Sequence, residues 1–212
     1  MEKATREFYD KRGAILVKNL QKHHFEAYYC ATKADALKQV LALIPEGSTV
    51  GWGGAISAAQ VGVQAALNAG NYTTIDRDSV SDPAGKLKCM RACFDADYFI
   101  TGANALSLDG QMVNIDGNGN RVGMIVYGPK YIIVVAGMNK VCATLEDAVT
   151  RARTVAAPMN QQRFGLNNPC TATGTCHDCH SESCICNQLL ITRNSKPAGR
   201  IKVVLVGEEL GF

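Results

Sequence analysis

Blocks of apolar and polar positions predict helices and strands in turn along most of the chain. Thr32 and Asp35 have the spacing of a helix N-cap, and apolar residues then recur at the i, i+3, i+4 and i+7 positions of one helical face. Residues 131–136 form a continuous apolar run, which is typical of a strand covered on both sides. Further helices are expected within residues 1–24, 56–69 and 144–157, and further strands within 25–30, 48–52, 72–75 and 97–101.

Three later segments predict particular local arrangements. Residues 106–128 hold two short runs joined by Asp-Gly and Gly-Asn turns, which predicts a hairpin. Residues 188–193 and 200–206 predict a second pair of strands around a turn. A helix that begins at the Asp-Pro pair of positions 82–83 is expected to bury one apolar face, made of Leu87, Met90 and Phe94.

The alternation of strand and helix predicts an α/β fold. We expect an open, mostly parallel sheet with helices on both faces, followed by a C-terminal cysteine-rich loop and hairpin. Internal repeats are not visible. Residues 1–212 are therefore expected to form a single domain, in which residues 158–187, the only stretch of distinct composition, are an insertion.

The composition is that of a globular protein, because 47% of the 212 residues are hydrophobic and 19% are charged. A formal net charge of +3 is too small to indicate a nucleic-acid partner. The first ten residues are charged and lack the apolar core of a secretory signal, and no apolar run is long enough to span a bilayer. We therefore expect a cytoplasmic protein without a membrane partner, whose nine cysteines stay reduced.

The first candidate site is a glycine-rich turn between a predicted strand and a predicted helix. Glycines allow a ligand to approach the backbone closely, and the free N–H groups at a helix start favour an anion. In open α/β sheets, ligands bind at the carboxyl ends of the strands, where this turn is expected to lie. Alternatively, the glycines only make a tight turn and let an Ala-rich helix pack closely. The candidate residues are Gly51, Gly53, Gly54 and Ser57.

The second candidate site is the densest run of small polar groups in the chain. Alternation along a strand places Asn114 and Asp116 on one face, opposite Val113 and Ile115. An Asn and an Asp that project together near an Arg form a substrate-orienting set, although Asp-Gly and Asn-Gly pairs also make ordinary turns. The candidate catalytic residues in this run are Asp109, Asn114, Asp116 and Arg121, and the candidate ligand-binding residues are Asn118 and Asn120.

A lysine follows the longest apolar run. Lys140 comes directly after Asn139, and in one interpretation the two bind an anionic substrate at the end of this strand. In the other, Lys140 is a solvated charge, which is the usual state of a lone lysine.

Five of the nine cysteines crowd one loop. Cys170, Cys176, Cys179 and Cys186 have the spacing C-x5-C-x2-C-x6-C, with Cys184 as an alternate ligand. A C-x-x-C pair places two thiolates on one metal centre, and flanking cysteines close such a site. The order is similar to the loop that holds a [4Fe–4S] cluster in endonuclease III-type DNA glycosylases. We therefore expect a [4Fe–4S] cluster here in preference to Zn²⁺.

Other interpretations of the cysteine loop stay open. Zinc would use the single C-x-x-C pair together with His177 or His180. Without a metal, the thiols would pack as small hydrophobic groups, or Cys176 and Cys179 would form a redox-active pair.

Several of these stretches together resemble the LUD-domain family of lactate utilisation proteins, in particular its short, cysteine-ended members. The resemblance covers nearly the whole chain and rests on GWGGAIS, ITGANALSLDGQMVNIDGNGNRV, YGPKYIIVVAGMNKV, EDAVTRARTVAAPMN and NPCTATGTCHDC. It implies the fold that ribose-5-phosphate isomerase, CoA transferases and methenyltetrahydrofolate synthetase share. In sugar-phosphate isomerases of this fold the phosphate lies on the glycine turn, which implies the same role for the turn described above.

One departure from those isomerases bears on mechanism. They carry Gly-Ala-Asp where this chain has Gly102, Ala103 and Asn104. A neutral amide cannot act as a general base, so a proton-shuttling mechanism through this position is not implied. Gly102 and Asn104 are instead expected to contact the ligand.

The resemblance implies a role in lactate or 2-hydroxy-acid utilisation. The ligand would be a small anionic or phosphorylated metabolite, and the partners would be electron-transfer or lactate-utilisation proteins. Two alternatives stay open: an isomerase or CoA/acyl-transferase-like enzyme with a structural zinc, and a non-catalytic sensor or complex subunit. A homo-oligomer is compatible with each of these.

Overall fold

The computed structural model describes all residues from 1 to 212. The helices are α1 (Lys3–Lys22), α2 (Lys33–Ala42), α3 (Ile56–Val61), α4 (Val63–Ala69), α5 (Pro83–Ala92), α6 (Asn120–Tyr127), α7 (Leu145–Arg151), α8 (Ala157–Phe164) and α9 (Pro169–Thr173). The strands are β1 (Glu26–Cys30), β2 (Thr49–Trp52), β3 (Thr73–Ile75), β4 (Tyr98–Thr101), β5 (Ala105–Ser107), β6 (Met112–Asp116), β7 (Tyr131–Gly137), β8 (Val141–Cys142), β9 (Gln188–Thr192) and β10 (Ile201–Val206).

The strands form two sheets. The main sheet has six strands in the order β1-β10-β7-β4-β2-β3, and every neighbouring pair in it is parallel. The small sheet has the order β8-β5-β6-β9, in which β6 pairs antiparallel with both β5 and β9. An α/β fold built on an open, mostly parallel sheet is therefore confirmed.

The main sheet is buried on both faces. Along β7, Ile132 and Val134 enter the core on one face, which they share with α1 and α6. Ile133 and Val135 enter the core on the other face, which they share with α2, α3 and α4. This two-sided burial explains the continuous apolar run of β7, because a strand covered on both sides has no solvent-facing positions.

Local sequence signals begin several helices. The Thr32 side chain accepts a hydrogen bond from the Asp35 N–H, which caps α2 as its spacing predicts. Thr144 and Asp147 form a capping box at the start of α7, with each side chain bound to the backbone of the other residue. The helix expected over residues 56–69 is divided into α3 and α4 by Gly62, whose φ of 92° no helical residue adopts. None of the helices has the length and apolarity needed to cross a membrane.

Three local predictions are wrong. Residues 188–193 and 200–206 do not pair: β9 joins the small sheet beside β6, while β10 lies in the main sheet between β1 and β7. Residues 120–127 are not part of a hairpin but form α6, so that only β5 and β6 make the hairpin. Of the three expected residues only Met90, on α5, is buried; Leu87 on α5 is 52% exposed, and Phe94, in the turn after α5, is 41% exposed.

Candidate functional site

A cavity of about 500 Å³ opens at the carboxyl ends of three strands of the main sheet. Gly54 and Ser57 follow β2, Asn104 follows β4 and Lys140 follows β7, and all four residues line the cavity. Because parallel strands end at the same edge of a sheet, chain segments far apart in sequence meet here. The glycine turn and the polar segment of residues 104–121 therefore contribute to one cavity.

Arg121 is the centre of a hydrogen-bond network on the floor of this cavity. Its Nη2 atom donates to Asn104 Oδ1 over 3.0 Å and to the carbonyl oxygen of Ile115. Its Nε atom lies 3.3 Å from Asp116 Oδ1, while Nη1 has no hydrogen bond within the chain. Asn104 Oδ1 also accepts from the Ile115 N–H over 2.8 Å, so this amide oxygen joins β6 to the guanidinium.

Asp116 ties the start of α6 to the same network. Its Oδ2 atom accepts from the backbone N–H groups of Arg121 and Val122 over 2.8 and 3.1 Å. A carboxylate at this end of a helix satisfies free N–H groups and favours the helix dipole. Burial lowers the pKa of Arg121 and the neighbouring Asp116 raises it, and a guanidinium stays protonated in either case.

Lys140 and Ser57 form a second buried pair. The Lys140 Nζ atom donates to Ser57 Oγ over 3.1 Å and to the Ala103 carbonyl oxygen over 3.0 Å. Both residues are buried, at 4% and 1% exposure, and Lys140 is in no ion pair. Burial, together with the nearby cations Arg151 and Arg121, lowers the pKa of Lys140 to about 7.

The segment after β10 returns to cover this pair. Asn139 holds this segment in place, because its Oδ1 accepts a hydrogen bond from the Leu210 N–H over 3.1 Å. Gly211 N–H donates to Gln60 Oε1 over 2.7 Å, and Phe212 lines the cavity. The predicted ligand residue Asn139 thus lies outside the cavity lining and positions the segment that covers Ser57.

The outer wall of the cavity carries further basic side chains. Arg163 and Asn160 lie three residues apart on α8, where the Asn160 Oδ1 accepts from Arg163 Nε over 2.9 Å. Arg77 comes from the segment after β3, and burial lowers the pKa of Arg163 with Arg77 as a second cause. The lining therefore combines four basic side chains with two carboxylates, namely Arg77, Arg121, Lys140 and Arg163 with Asp116 and Glu182.

The structure brings only some of the predicted site residues to the cavity. Those in its lining are Gly54, Ser57, Asn104, Asp116, Asn118, Asn120, Arg121, Lys140 and Cys184. The interpretation of Lys140 as a solvated charge is wrong, because β7 ends inside the protein and its last side chains are enclosed by the elements around the cavity.

Other predicted site residues lie outside the cavity lining and contact other parts of the protein. Asn114 is fully buried and donates from Nδ2 to the Gly102 carbonyl oxygen over 3.0 Å, so it does not project with Asp116 into the cavity. Asp109 lies at the β5–β6 turn, away from the cavity, and accepts hydrogen bonds from the side chains of Ser107 and Gln111. Burial raises the pKa of Asp109, but these hydrogen bonds outweigh burial and lower it. Outside the lining, Gly51 packs on Cys93, Gly53 on Phe99 and Gly102 near Val135.

The cysteine loop forms one rim of the cavity. Glu182, Cys184 and Ile185 are in the lining, and the buried Asn168 holds the loop by accepting from Ser183 Oγ over 3.0 Å. Burial raises the pKa of Cys170, with further contributions from the thiols of Cys179, Cys176 and Cys184, so the thiols influence one another. No three His, Cys, Asp or Glu side chains stand in an arrangement that could hold a metal ion.

Sequence reasoning did not identify Arg77, Arg163 or Arg151 as part of this region. Arg151 Nη1 donates to the Asn104 carbonyl oxygen over 2.5 Å and contributes to the lowered pKa of Lys140. The i, i+3 spacing of Asn160 and Arg163 was a usable signal, but it requires the helix to continue beyond residue 157. The fold and the cavity define an open α/β protein with a cation-lined cleft at the carboxyl ends of its parallel strands.

A family model described as the LUD domain matches residues 14–206, and the chain therefore belongs to the LUD-domain family. The fold is similar to that of a DUF162 family protein from Deinococcus radiodurans, with a TM-score of 0.51 and 11% identity over 93% of this chain and 97% of that chain. Ribose 5 phosphate isomerase A from Neisseria gonorrhoeae aligns with a TM-score of 0.36 and 16% identity over 53% of this chain and 54% of its own. Comparison with curated proteins found no match.

These comparisons confirm the family that the sequence motifs predicted. The Deinococcus likeness covers nearly all of both chains and shows a shared fold. The isomerase likeness covers about half of each chain and carries no argument about activity.

Proposed function

We propose that this protein binds a small carboxylate or phosphorylated anion in the cavity and acts in lactate or 2-hydroxy-acid utilisation. The observation that carries the proposal is the unpaired cation at the cavity floor. Arg121 has Asp116 beside it, whereas Lys140 has no carboxylate within reach. A buried ammonium without a counter-charge is costly, and a bound anion would supply that counter-charge.

The N–H groups of Arg121 and Lys140 that have no partner within the chain also support an anionic ligand. Arg121 Nη1 has no partner within the chain, and an ammonium has three N–H donors, of which Lys140 uses two. Charge-assisted hydrogen bonds from such groups are about twice as strong as neutral ones. Asn118 and Asn120 add neutral polar groups to the same cavity, where they would recognise a hydroxyl or a carbonyl group.

The size of the cavity favours a small metabolite. A volume of about 500 Å³ lies in the usual range for small-molecule sites. The basic side chains on its wall would also attract an anion from solution and accelerate its entry.

Isothermal titration calorimetry with L-lactate, pyruvate and ribose 5-phosphate at pH 6.5 tests this proposal. We expect 1:1 binding of at least one of them, weakened tenfold or more by Lys140→Gln, because a lost charge-assisted hydrogen bond costs about 1.5–3 kcal/mol. The matched control is Lys130→Gln, since Lys130 is exposed at the opposite end of β7. The proposal is wrong if none of the three anions binds.

A separate proposal concerns the cysteine loop, where a [4Fe–4S] cluster in preference to Zn²⁺ would bind Cys170, Cys176, Cys179 and Cys186, with Cys184 as alternate. The thiol spacing supports it, and a bound cluster would supply one-electron transfer to a partner protein. The side chains as they stand do not form such a site, so no step of the proposed function depends on a metal.

A further inference from the structure

Lys140 differs from the other buried cations of this protein. Lys202, at 9% exposure, has Glu26 as an ion-pair partner, and Arg121 lies beside Asp116. Lys140 is more deeply buried than either and has only neutral acceptors, Ser57 Oγ and the Ala103 carbonyl oxygen. The charged groups that influence its pKa are the cations Arg151 and Arg121, which further oppose a positive charge on Nζ.

The hydrogen bonds of Nζ match a neutral amine. A neutral lysine has two N–H groups and one lone pair, and Nζ has two acceptors, at 3.1 and 3.0 Å. An ammonium in the same place has a third N–H group without a protein partner. In the neutral form the lone pair is the position left over, on a residue that lines the cavity next to Gly211 of the C-terminal segment. A lysine placed among other cations and out of water is the usual arrangement of a nucleophilic amine.

We propose that Lys140 forms an imine with the carbonyl group of a 2-oxo acid bound in the cavity. This inference rests on the proposed function, because the carboxylate of the 2-oxo acid is the anion that the basic side chains bind. A 2-oxo acid is the oxidised counterpart of a 2-hydroxy acid and places its carbonyl carbon directly beside its carboxylate. Arg121 Nη1 is the free donor for that carboxylate, and Lys140 is the amine for the carbonyl.

The chemistry balances without any further reactant. The lone pair of Nζ forms a bond to the carbonyl carbon, and the carbonyl oxygen takes up a proton as the nitrogen loses one, which gives a carbinolamine. The nitrogen then gives up its remaining proton, the hydroxyl group takes up a proton and leaves as water as the C–O bond breaks, and the nitrogen lone pair forms the C=N bond. The Ser57 hydroxyl lies 3.1 Å from Nζ, within reach to relay a proton between nitrogen and oxygen.

A pKa of about 7 allows Lys140 both roles. Near neutral pH the ammonium that binds a 2-hydroxy acid and the amine that attacks a 2-oxo acid are both populated. The two ligand classes are therefore expected to respond oppositely to pH: lactate binding weakens, and imine formation accelerates, as the pH rises through 7.

Borohydride trapping tests the inference on the intact chain. The protein is incubated with pyruvate and sodium cyanoborohydride at pH 7.5, and the product is examined by intact mass and peptide mapping. We expect one covalently bound, reduced pyruvate per chain, located at Lys140 and formed more slowly when L-lactate is present. Ser57→Ala is expected to slow the labelling about tenfold or more without moving it, because the amine loses its proton relay.

The outcomes separate this inference from the proposed function. If calorimetry shows lactate binding but pyruvate labels no lysine, or labels only exposed lysines such as Lys130, the imine is ruled out and the anion site remains. If none of the three anions binds and no labelling occurs, both proposals fail. Labelling at Lys140 that lactate does not slow supports the imine and removes lactate as a ligand.

Discussion

Gly54 faces Arg121 so closely that a Cβ atom at position 54 would lie 2.8 Å from its Cδ and 2.9 Å from its Nη1. The contact joins the turn after β2 to the first residues of α6, and φ at Gly54 is +60°. Both the space and the backbone conformation therefore require glycine here. Both residues of this contact line the cavity.

Gly54→Ala is expected to weaken anion binding about tenfold or more, because the new methyl group displaces the Arg121 guanidinium. The left-handed conformation adds a stability loss of about 1–2 kcal/mol. Gly47→Ala is the matched control, since Gly47 has φ of +81° with nothing within 4 Å of a Cβ atom. Urea denaturation and calorimetry check both effects, and equal losses of affinity in the two variants would contradict the role given to Gly54.

Lys140→Met is expected to stabilise the protein at low pH. The folded-state pKa of Lys140, about 7, lies below the usual lysine value of 10.5, so between these values the unfolded chain binds the extra proton and burial of Lys140 costs stability. The cost is complete below pH 7 and vanishes as the pH approaches 10.5. The gain is expected to be on the order of a few kcal/mol, because one pKa unit corresponds to about 1.4 kcal/mol.

Urea denaturation at pH 6 and pH 9.5, without ligand, measures this effect. The gain of Lys140→Met is expected to be larger at pH 6, while Lys130→Met changes stability little at either pH because Lys130 is exposed. A gain of the same size at both pH values would mean that Lys140 is not the titrating group.

Asn104→Asp is expected to lower anion affinity about tenfold while the fold is kept. The carboxylate retains an acceptor for the Ile115 N–H and for Arg121 Nη2, but adds a negative charge at the cavity floor. Asn104→Ala removes the acceptor instead, and is expected to cost about 1–3 kcal/mol of stability. Calorimetry and denaturation separate the two variants. Asp109→Asn, at the distant β5–β6 turn, serves as the control and should leave the anion affinity unchanged.

Much of this fold could be predicted from local sequence. The Thr144–Asp147 capping box and the continuous apolar run of β7 depend on neighbours in the chain, and both were identified from the sequence. The apolar pattern of a strand does not determine which strand it pairs with. The predicted pairing of β9 with β10 is therefore wrong, since β9 pairs with β6 and β10 with β7. The helix α6 was missed because Asn-Gly turn signals precede it, although Arg121, Met124 and Ile125 have helical spacing and are buried.

The site could be predicted only in part for the same reason. Glycine and polar motifs located Gly54, Ser57 and Arg121, since each stands at the end of a strand or the start of a helix. Arg77 and Arg163 come from segments that only the tertiary fold brings to the cavity wall. The missing partner of Lys140 could not be predicted either, because an absent ion pair has no signal in the sequence.

The cysteine loop gives an independent prediction. Protein purified without oxygen is expected to carry iron and acid-labile sulfide and to absorb visible light if the thiols bind a [4Fe–4S] cluster. Cys176→Ser should then remove the iron, whereas Cys89→Ser, outside the loop, should keep it. A colourless protein that contains stoichiometric zinc would rule out the cluster and support the zinc site instead.

Calorimetric titration of L-lactate at pH 6 and pH 8.5 is the most direct test of the cation-lined cavity. The affinity of the unmodified protein is expected to fall at least about fivefold at the higher pH, because Lys140 loses its charge near pH 7. Lys140→Gln should bind weakly at both pH values, and Lys130→Gln should behave as the unmodified protein does. Absence of binding, or a Lys140→Gln variant that keeps the full affinity and its pH dependence, would contradict the account.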